Sequence, residues 1–473
     1  IGRLTKNNLD LTVRLERLSS GLRINRGKDD PAGLIASETL RAEIRGIGQA
    51  IENSSRAINV ISTAEGALNE VSALLLNIRD LLVSTANEGA LTSEEIDANQ
   101  LEIDALLASV DRIANNTSFG GLKLLDGTRS YTLSSLSTDS IAATSVFGAR
   151  VPENGTRNVV VQVTTSAETA TVSFVGREQS GDVALAHTSA TTIEIAGTIG
   201  TETLSFASGA TLSEIRTAIN DVTSVTGVAA TVSTTTDGQL ASALVLNSTA
   251  YGSDAFVSVK PISGDFIESG NNGTTIDDTG VDAGVLINGQ LAAAKGLRAD
   301  LRSSGLDMRV YLSPSFGQIQ SSTTFYITGG GSIFQLTPEV SPVGQVSVGI
   351  NSVSTANLGN SVVGYLRTLG SGGTNEVAQK NFISAQDILS EAINQVAVMR
   401  GRLGSLQQNQ METNINSQQV ALENVTASES AIRDADIAVE VAALTRAQIL
   451  VQSTQATMLI ATNAPSAVLS LLQ

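Results

Sequence analysis

Large aliphatic residues recur every seven positions at both ends of this chain, whereas segments of the middle alternate apolar and polar residues with a period of two. Leu4, Leu11, Leu15, Leu18 and Leu22 follow 7-4-3-4 spacing. A second run places Ile44, Ile51 and Ile58 at steps of seven, interleaved with Ile47, Ile61, Leu68 and Leu75. A third has Ile96, Ile103 and Val110, with Leu106 and Ile113 between. Phe382, Leu389, Val396 and Leu403 form a fourth, and Ile437, Leu444, Val451 and Met458, with Val441, a fifth. A seven-residue repeat keeps one apolar seam turned toward a partner helix, so five such runs predict a coiled-coil-like bundle. Between them, 158–164 (NVVVQVT), 169–175 (TATVSFV), 229–233 and 345–350 read as strands. Glycine breaks at 270–273, 329–331 and 370–373 punctuate this zone. Thr211 followed by Glu214 is a capping-box pattern and predicts a short helix over 211–220.

The expected fold class is therefore α+β, with a helical bundle formed by both chain ends and a β-rich outer insertion. The expected domains are 1–30 with 428–473, 31–127 with 373–427, and the insertion 128–372. Residues near 40–115 should pack against residues near 380–425. The outermost runs differ from the rest. If Leu4, Leu11, Leu15 and Leu18 pair with Ile437, Val441, Leu444, Val451 and Met458, they form a two-helix appendage with little core of its own. Such a pair is marginal until other copies surround it, because helix nucleation is unfavourable and two seams bury little area.

Composition narrows the function. The chain has 473 residues and a formal net charge of 29 − 46 = −17, which argues against a nucleic-acid partner. Aromatics are 3% and Trp is absent, unlike most compact enzymes of this size. With no Cys and one His, His187, there is no thiolate site and no ligand set for zinc. His187 itself reads as a surface or loop residue. The HExxH, GxSxG and P-loop patterns are missing. Asp277, Asp278 and Asp282, near Asn271 and Asn272, have a calcium-loop composition without EF-hand spacing and read as a solvated turn. The expectation is a protein without catalysis, cofactor or metal. No apolar run reaches the ~18–20 residues of a membrane span, so no membrane partner is expected. The densest polar group, Arg23, Asn25, Arg26, Lys28, Asp29 and Asp30, sits between two heptad helices and reads as a linker. Asp30 would cap the next helix and Pro31 would open it.

At these residues a resemblance appears. RLSSGLRIN at 17–25, continuing to KDDPAG at 28–33, closely resembles the N-terminal signature of bacterial flagellins, and TAEGALNE at 63–70 resembles their next block. RDAD at 433–436, TRAQIL at 445–450 and VLSLL at 468–472 resemble the C-terminal block. The matching ends cover roughly the first 127 and last 100 residues. LSEIRTAINDVTSVTGVAATV at 212–232 resembles the flagellin hook IN motif.

The resemblance implies a structural subunit that self-assembles into a helical homopolymer, the extracellular flagellar filament. Terminal helices would line its inner tube, and Arg23, Asn25, Asp29 and Asp30 would link the layers. The family is exported unfolded through the flagellar type III channel, adds at the distal tip beneath a cap protein, and follows a junction protein. A chaperone covers the C-terminal helix, here 437–472, before export. The innate flagellin receptor meets the family on a segment corresponding to 77–83 and a neighbouring helix, which puts Arg79, Leu81 and Glu102 at the contact. Asn77 and Asp80 stand where recognised flagellins carry Arg and Glu, a departure that weighs against recognition. The family's first dozen or so residues are expected before Ile1, and Gln473 replaces the usual final Arg. Competing readings are a hook–filament junction protein, an unrelated bundle bearing an adhesin-like insertion, and an enzyme within the insertion.

Overall fold

The computed structural model describes residues 2–152, 155–175, 190–234, 242–264, 266, 276–303 and 305–470. His187 and the glycine break at 270–273 lie outside them. The α+β architecture is as expected: helices at both ends and antiparallel sheets between. The helices are α1 (Gly2–Ser20), α2 (Pro31–Thr85), α3 (Ser93–Asn116), α4 (Leu212–Asp221), the one-turn α5 (Thr223–Thr226) and α6 (Pro314–Gly317), α7 (Phe382–Leu406), α8 (Thr413–Arg433) and α9 (Ile437–Ser470). A π-helical stretch, Gln407–Glu412, joins α7 to α8. The chain forms two compact units. One comprises Ile1–Ser62, Phe334–Val346 and Leu403–Gln473; the other comprises Thr63–Ile333 and Ser347–Arg402.

The seam of α2 runs through Ile47, Ala50, Ser54, Ala57, Ile61, Ala64, Leu68, Val71, Leu75, Ile78, Leu82 and Thr85, alternating steps of three and four. This corrects the expected phase. Ile44, Ile51 and Ile58 are only half-buried flanks, and the small residues Ala50, Ser54, Ala57 and Ala64 fill most of the core positions in the first half of the seam. Ala and Ser let helices approach closely, so they carry seam positions that large aliphatics do not mark. On α3 the buried positions are Gln100, Ile103, Leu107, Val110 and Ala114, so Leu106 and Ile113 are again flanks. Leu389, Val396 and Leu403 of the fourth run are buried as expected.

In the second unit, Arg400 of α7 ties to Glu65 of α2 (2.9 Å). The segment after the insertion is fastened to α3 by Gln100, whose side chain donates to the Leu369 carbonyl (3.0 Å) and accepts from the Val377 amide (3.0 Å). In the first unit, Ser62 donates to Gln407 (3.4 Å), and Arg433 at the end of α8 pairs with Glu38 (2.8 Å). The two chain ends thus meet within each unit.

The insertion folds as two sandwiches. In the inner one, a five-stranded sheet has the order Gln290–Leu291, Gly284–Ile287, Arg157–Thr165, Ser322–Gly330, Tyr131–Ser134. A four-stranded sheet has the order Ala293–Lys295, Arg298–Arg302, Leu306–Leu312, Ile141–Ala149. Val159, Val161 and Val163 from one sheet share a core with Met308 and Val310 from the other. The outer sandwich is inserted between Thr165 and Gly284, which are themselves paired neighbours. Its core gathers Val172, Phe174, Ile193, Leu244, Val257 and the α4 residues Ile215 and Ile219. The predicted strand 169–175 has the observed bounds, and the strands at 158–164, 229–233 and 345–350 agree to within two residues.

The neck between the sandwiches is close-packed backbone. A Cβ on Gly252 (φ +99°) would lie 2.5 Å from the Gly296 Cα. Asp282 accepts from the Gly296 amide (2.7 Å), the Ser253 amide (3.0 Å) and the Ser253 hydroxyl (2.7 Å). Asp278, on an edge strand, accepts from the Thr171 amide (2.7 Å). The expected solvated turn is therefore corrected at Asp278 and Asp282, whose carboxylates are held mainly by backbone donors, while Asp277 is exposed. Among the described residues no cluster of three or more His, Cys, Asp or Glu could hold a metal.

The α4 capping box forms as the sequence predicts: Thr211 accepts from the Glu214 amide (3.2 Å), and Glu214 accepts from the Thr211 amide (2.8 Å). Thr211→Ala should destabilise the outer sandwich by about 1 kcal/mol, the usual size of an N-cap. Hydrogen exchange at Leu212–Asp221 should quicken accordingly; unchanged exchange would show that the box contributes nothing there.

Candidate assembly surface

Within the first unit, α1 and α9 run antiparallel as a hairpin. Asn7 donates to the Leu450 carbonyl (3.3 Å) and the Thr454 hydroxyl (3.0 Å). Further along, Arg14 Nη1 donates to both oxygens of Glu440 (3.2 and 3.0 Å), and Arg17 donates to Glu440 as well (3.2 Å). At the base, the Ala435 amide donates to the Gly21 carbonyl (2.9 Å) and the Arg23 amide to the Arg433 carbonyl (2.7 Å).

This contact buries little. No residue of α1 is fully buried: Leu4, Leu11 and Leu18 are half-buried, and Leu15 is 49% exposed. On α9, Val451 is buried, Leu444 and Met458 are half-buried, and Ile437 and Val441 are 50% and 44% exposed. The structure thus brings Leu444, Val451 and Met458 to the α1 side and leaves Ile437 and Val441 outside. Val439, Ile449, Leu450 and Ile460 are exposed too. A helix with aliphatic residues on every side is ordinarily surrounded by protein, and among the described residues this one packs chiefly against α1. Sequence reading missed Asn7, Arg14, Arg17, Glu440 and Ala447. The available signal was the step of seven through Glu440, Ala447 and Thr454, which no large aliphatic residue marks.

The linker is ordered by its own side chains. Asp29 accepts from the amides of Arg26 (2.9 Å) and Asn25 (3.3 Å), and Asn25 donates to the Ser20 hydroxyl (2.7 Å). Arg23 reaches the Ile432 carbonyl. Asp30 accepts from the Gly33 amide (2.9 Å) as the N-cap of α2, with Pro31 its first residue, as expected. A Cβ on Gly33 would stand 2.5 Å from Asp30 Oδ2 and 2.7 Å from Ile24 Cδ1. Gly33→Ala should therefore displace the cap and loosen the linker by about 1–2 kcal/mol, read as faster amide exchange over 24–34; wild-type exchange would mean that Asp30 and Ile24 yield freely. Elsewhere, in the second unit, Arg79 and Glu102 are exposed and Leu81 is half-buried.

The acids that tie this unit together are held below their ordinary range. Burial pushes Glu440 up, but the hydrogen bonds and charges of Arg14 and Arg17 outweigh it. The Arg26 amide lowers Asp29, and hydrogen bonds from Arg433 and Arg41 lower Glu38. A carboxyl with a depressed folded pKa contributes fully above its unfolded value and loses that contribution as pH falls through the folded one. The α1–α9 hairpin should therefore lose amide protection as pH drops below the ordinary glutamate value of 4.5. Glu440→Gln should begin less protected and change less in that window. Equal acid sensitivity in both proteins would remove Glu440 from the account.

The comparisons agree with the architecture just described. Residues 2–130 match the bacterial flagellin N-terminal helical region, residues 386–472 the bacterial flagellin C-terminal helical region, and residues 192–250 the flagellin hook IN motif. The flagellin of Bacillus subtilis (strain 168) is 47% identical over 129 residues, which is 27% of this chain and 42% of that one. The match thus spans less than half of that relative. Flagellin B of Helicobacter pylori (strain J99) is 28% identical over 99% of this chain and 96% of its own. Among solved structures, the flagellar hook associated protein-3 of Legionella pneumophila is 14% identical, covers 84% of this chain and 98% of its own, and has a TM-score of 0.32, too low to add to the argument. Both helical ends and the inserted motif define a flagellar protein of the flagellin type. The chain belongs to the bacterial flagellin family.

Proposed function

We propose that this chain is the structural subunit that polymerises into the bacterial flagellar filament and serves motility, with no catalysis of its own. The observation that carries the reading is the α1–α9 pair, which leaves Ile437, Val439, Val441 and Ile449 exposed on a helix with aliphatic residues on every side. The principal partner is another copy of the chain. In this reading, residues 1–30 and 428–473 form the inner tube, 31–127 and 373–427 the second layer, and 128–372 the outer surface. Leu4, Leu11, Leu15, Leu18, Ile437, Val441, Leu444, Val451 and Met458 supply the self-assembly surface. Arg23, Asn25, Asp29 and Asp30 join the layers.

The same reading makes the cap protein, the junction protein and an export chaperone over 437–472 the further partners, and places the product outside the cell. Among the described residues no helix is long and apolar enough to cross a membrane. Arg79, Leu81 and Glu102 are the residues through which an innate receptor would be met, with Asn77 and Asp80 working against it. A filament subunit is favoured over a junction protein because relatives named as flagellins align across nearly the whole chain. Purified protein seeded with filament fragments should grow long filaments in negative-stain images. Growth limited to short rings or caps, or none, would reject the proposal.

A further inference from the structure

The terminal hairpin is inside out. Ile437, Val439, Val441 and Ile449 turn apolar surface to solvent, while Glu440, amid them, has a side chain only 7% exposed. Aliphatic residues lie on every side of α9, so hydrophobic burial alone does not choose which side meets α1. Turning α9 to bring Val441 inward would bury more apolar surface than Glu440 and Ala447 offer. What opposes that turn is the pair of charge-assisted contacts to Arg14 and Arg17. On α1, Arg14 also holds Asp10 (3.3 Å), which keeps its guanidinium aimed along the helix.

We propose that Glu440, clasped by Arg14 and Arg17, selects the face of α9 that pairs with α1 and thereby keeps the apolar faces outward for other copies. Buried ion pairs contribute little net stability, and their best-attested use is to fix a pairing that apolar packing leaves open. The consequence for polymerisation rests on the filament reading; the selection of a face is internal to one chain and stands or falls by itself.

The absence of Cys from the sequence makes the test clean. Asn7→Cys with Thr454→Cys reports the observed face, because Asn7 hydrogen-bonds Thr454. Asn7→Cys with Ala456→Cys reports a face roughly 200° further round the helix. Both pairs are oxidised in dilute full-length chain, where a bond within one chain leaves the mass monomeric. In the otherwise unaltered protein the Thr454 pair should close at least about tenfold faster, the least that a pair of this kind should impose. Glu440→Leu should erase that preference, and exchanging the charges (Arg14→Glu, Arg17→Glu, Glu440→Arg) should restore it. Should Glu440→Leu fray the hairpin and slow both bonds alike, the charge-exchanged chain decides, since only a selecting ion pair predicts recovery for Thr454 alone. An undiminished preference in Glu440→Leu, no recovery on charge exchange, or no preference in the unaltered chain would overturn the proposal.

Discussion

Leu444→Asp should abolish filament growth while leaving both sandwiches and the α2–α3–α7 helices folded. Leu444 is half-buried at the α1 contact, one turn from Glu440 on the same side of α9. Monomer tolerates the change because the hairpin contributes little core, and the new carboxylate can turn toward water. A polymer would surround α9, and burying an unpaired carboxylate there costs several kcal/mol in every subunit. Each buried Leu would otherwise contribute about 1.5–3 kcal/mol, so the loss is both of attraction and by penalty. The check is elongation from preformed seeds, alongside far-UV circular dichroism of the monomer. Growth at the unaltered rate would show that this face of α9 stays solvated in the polymer.

Leu68→Ala should have the opposite profile, destabilising the monomer itself. Leu68 is fully buried in the α2 seam between Ala64 and Val71. Removing three carbons from such a site typically costs about 2–5 kcal/mol. Denaturant unfolding of the full chain should show an earlier transition for the helical part of its unit, with the outer sandwich largely unaffected. A shift under about 1 kcal/mol would mean that the helices relax into the space. Ile44→Ala, at a flank, should cost much less than Leu68→Ala, and that difference tests the corrected seam.

The contrast between these residues explains what was legible in the sequence. Strands alternate strictly where one face is buried, so 158–164 and 169–175 could be placed to within a residue or so. Thr211 and Glu214 announced their helix because capping is local chemistry. Seam phase was harder. Ala50, Ala57 and Ala64 lie in the core as deeply as Ile61 and Leu68, yet alanine occurs on every face of a helix and marks none. The order of strands was not legible at all, since pairing Arg157–Thr165 with both Gly284–Ile287 and Ser322–Gly330 depends on contacts more than a hundred residues apart. Asp282 reads as solvent-facing because its partners, two backbone amides and the distant Ser253 hydroxyl, leave no trace in a sequence. On the assembly surface, aliphatic spacing allows α1 and α9 to pair, but nothing in it marks Glu440, a charge between two valines. A buried acid declares itself only once Arg14 and Arg17 are seen to close on it.

The central claim is that ordering of the terminal helices and polymerisation are one event. Hydrogen exchange over 437–461, compared between dilute monomer and seeded filament, tests it most directly. The account predicts only weak protection in the monomer, because a two-helix pair with Ala447 and Val451 as its only buried hydrophobic side chains among the described residues is marginal, and strong protection once the chain is in the filament. Full protection of that segment in the monomer, unchanged on assembly, would contradict it and make α1 and α9 ordinary core.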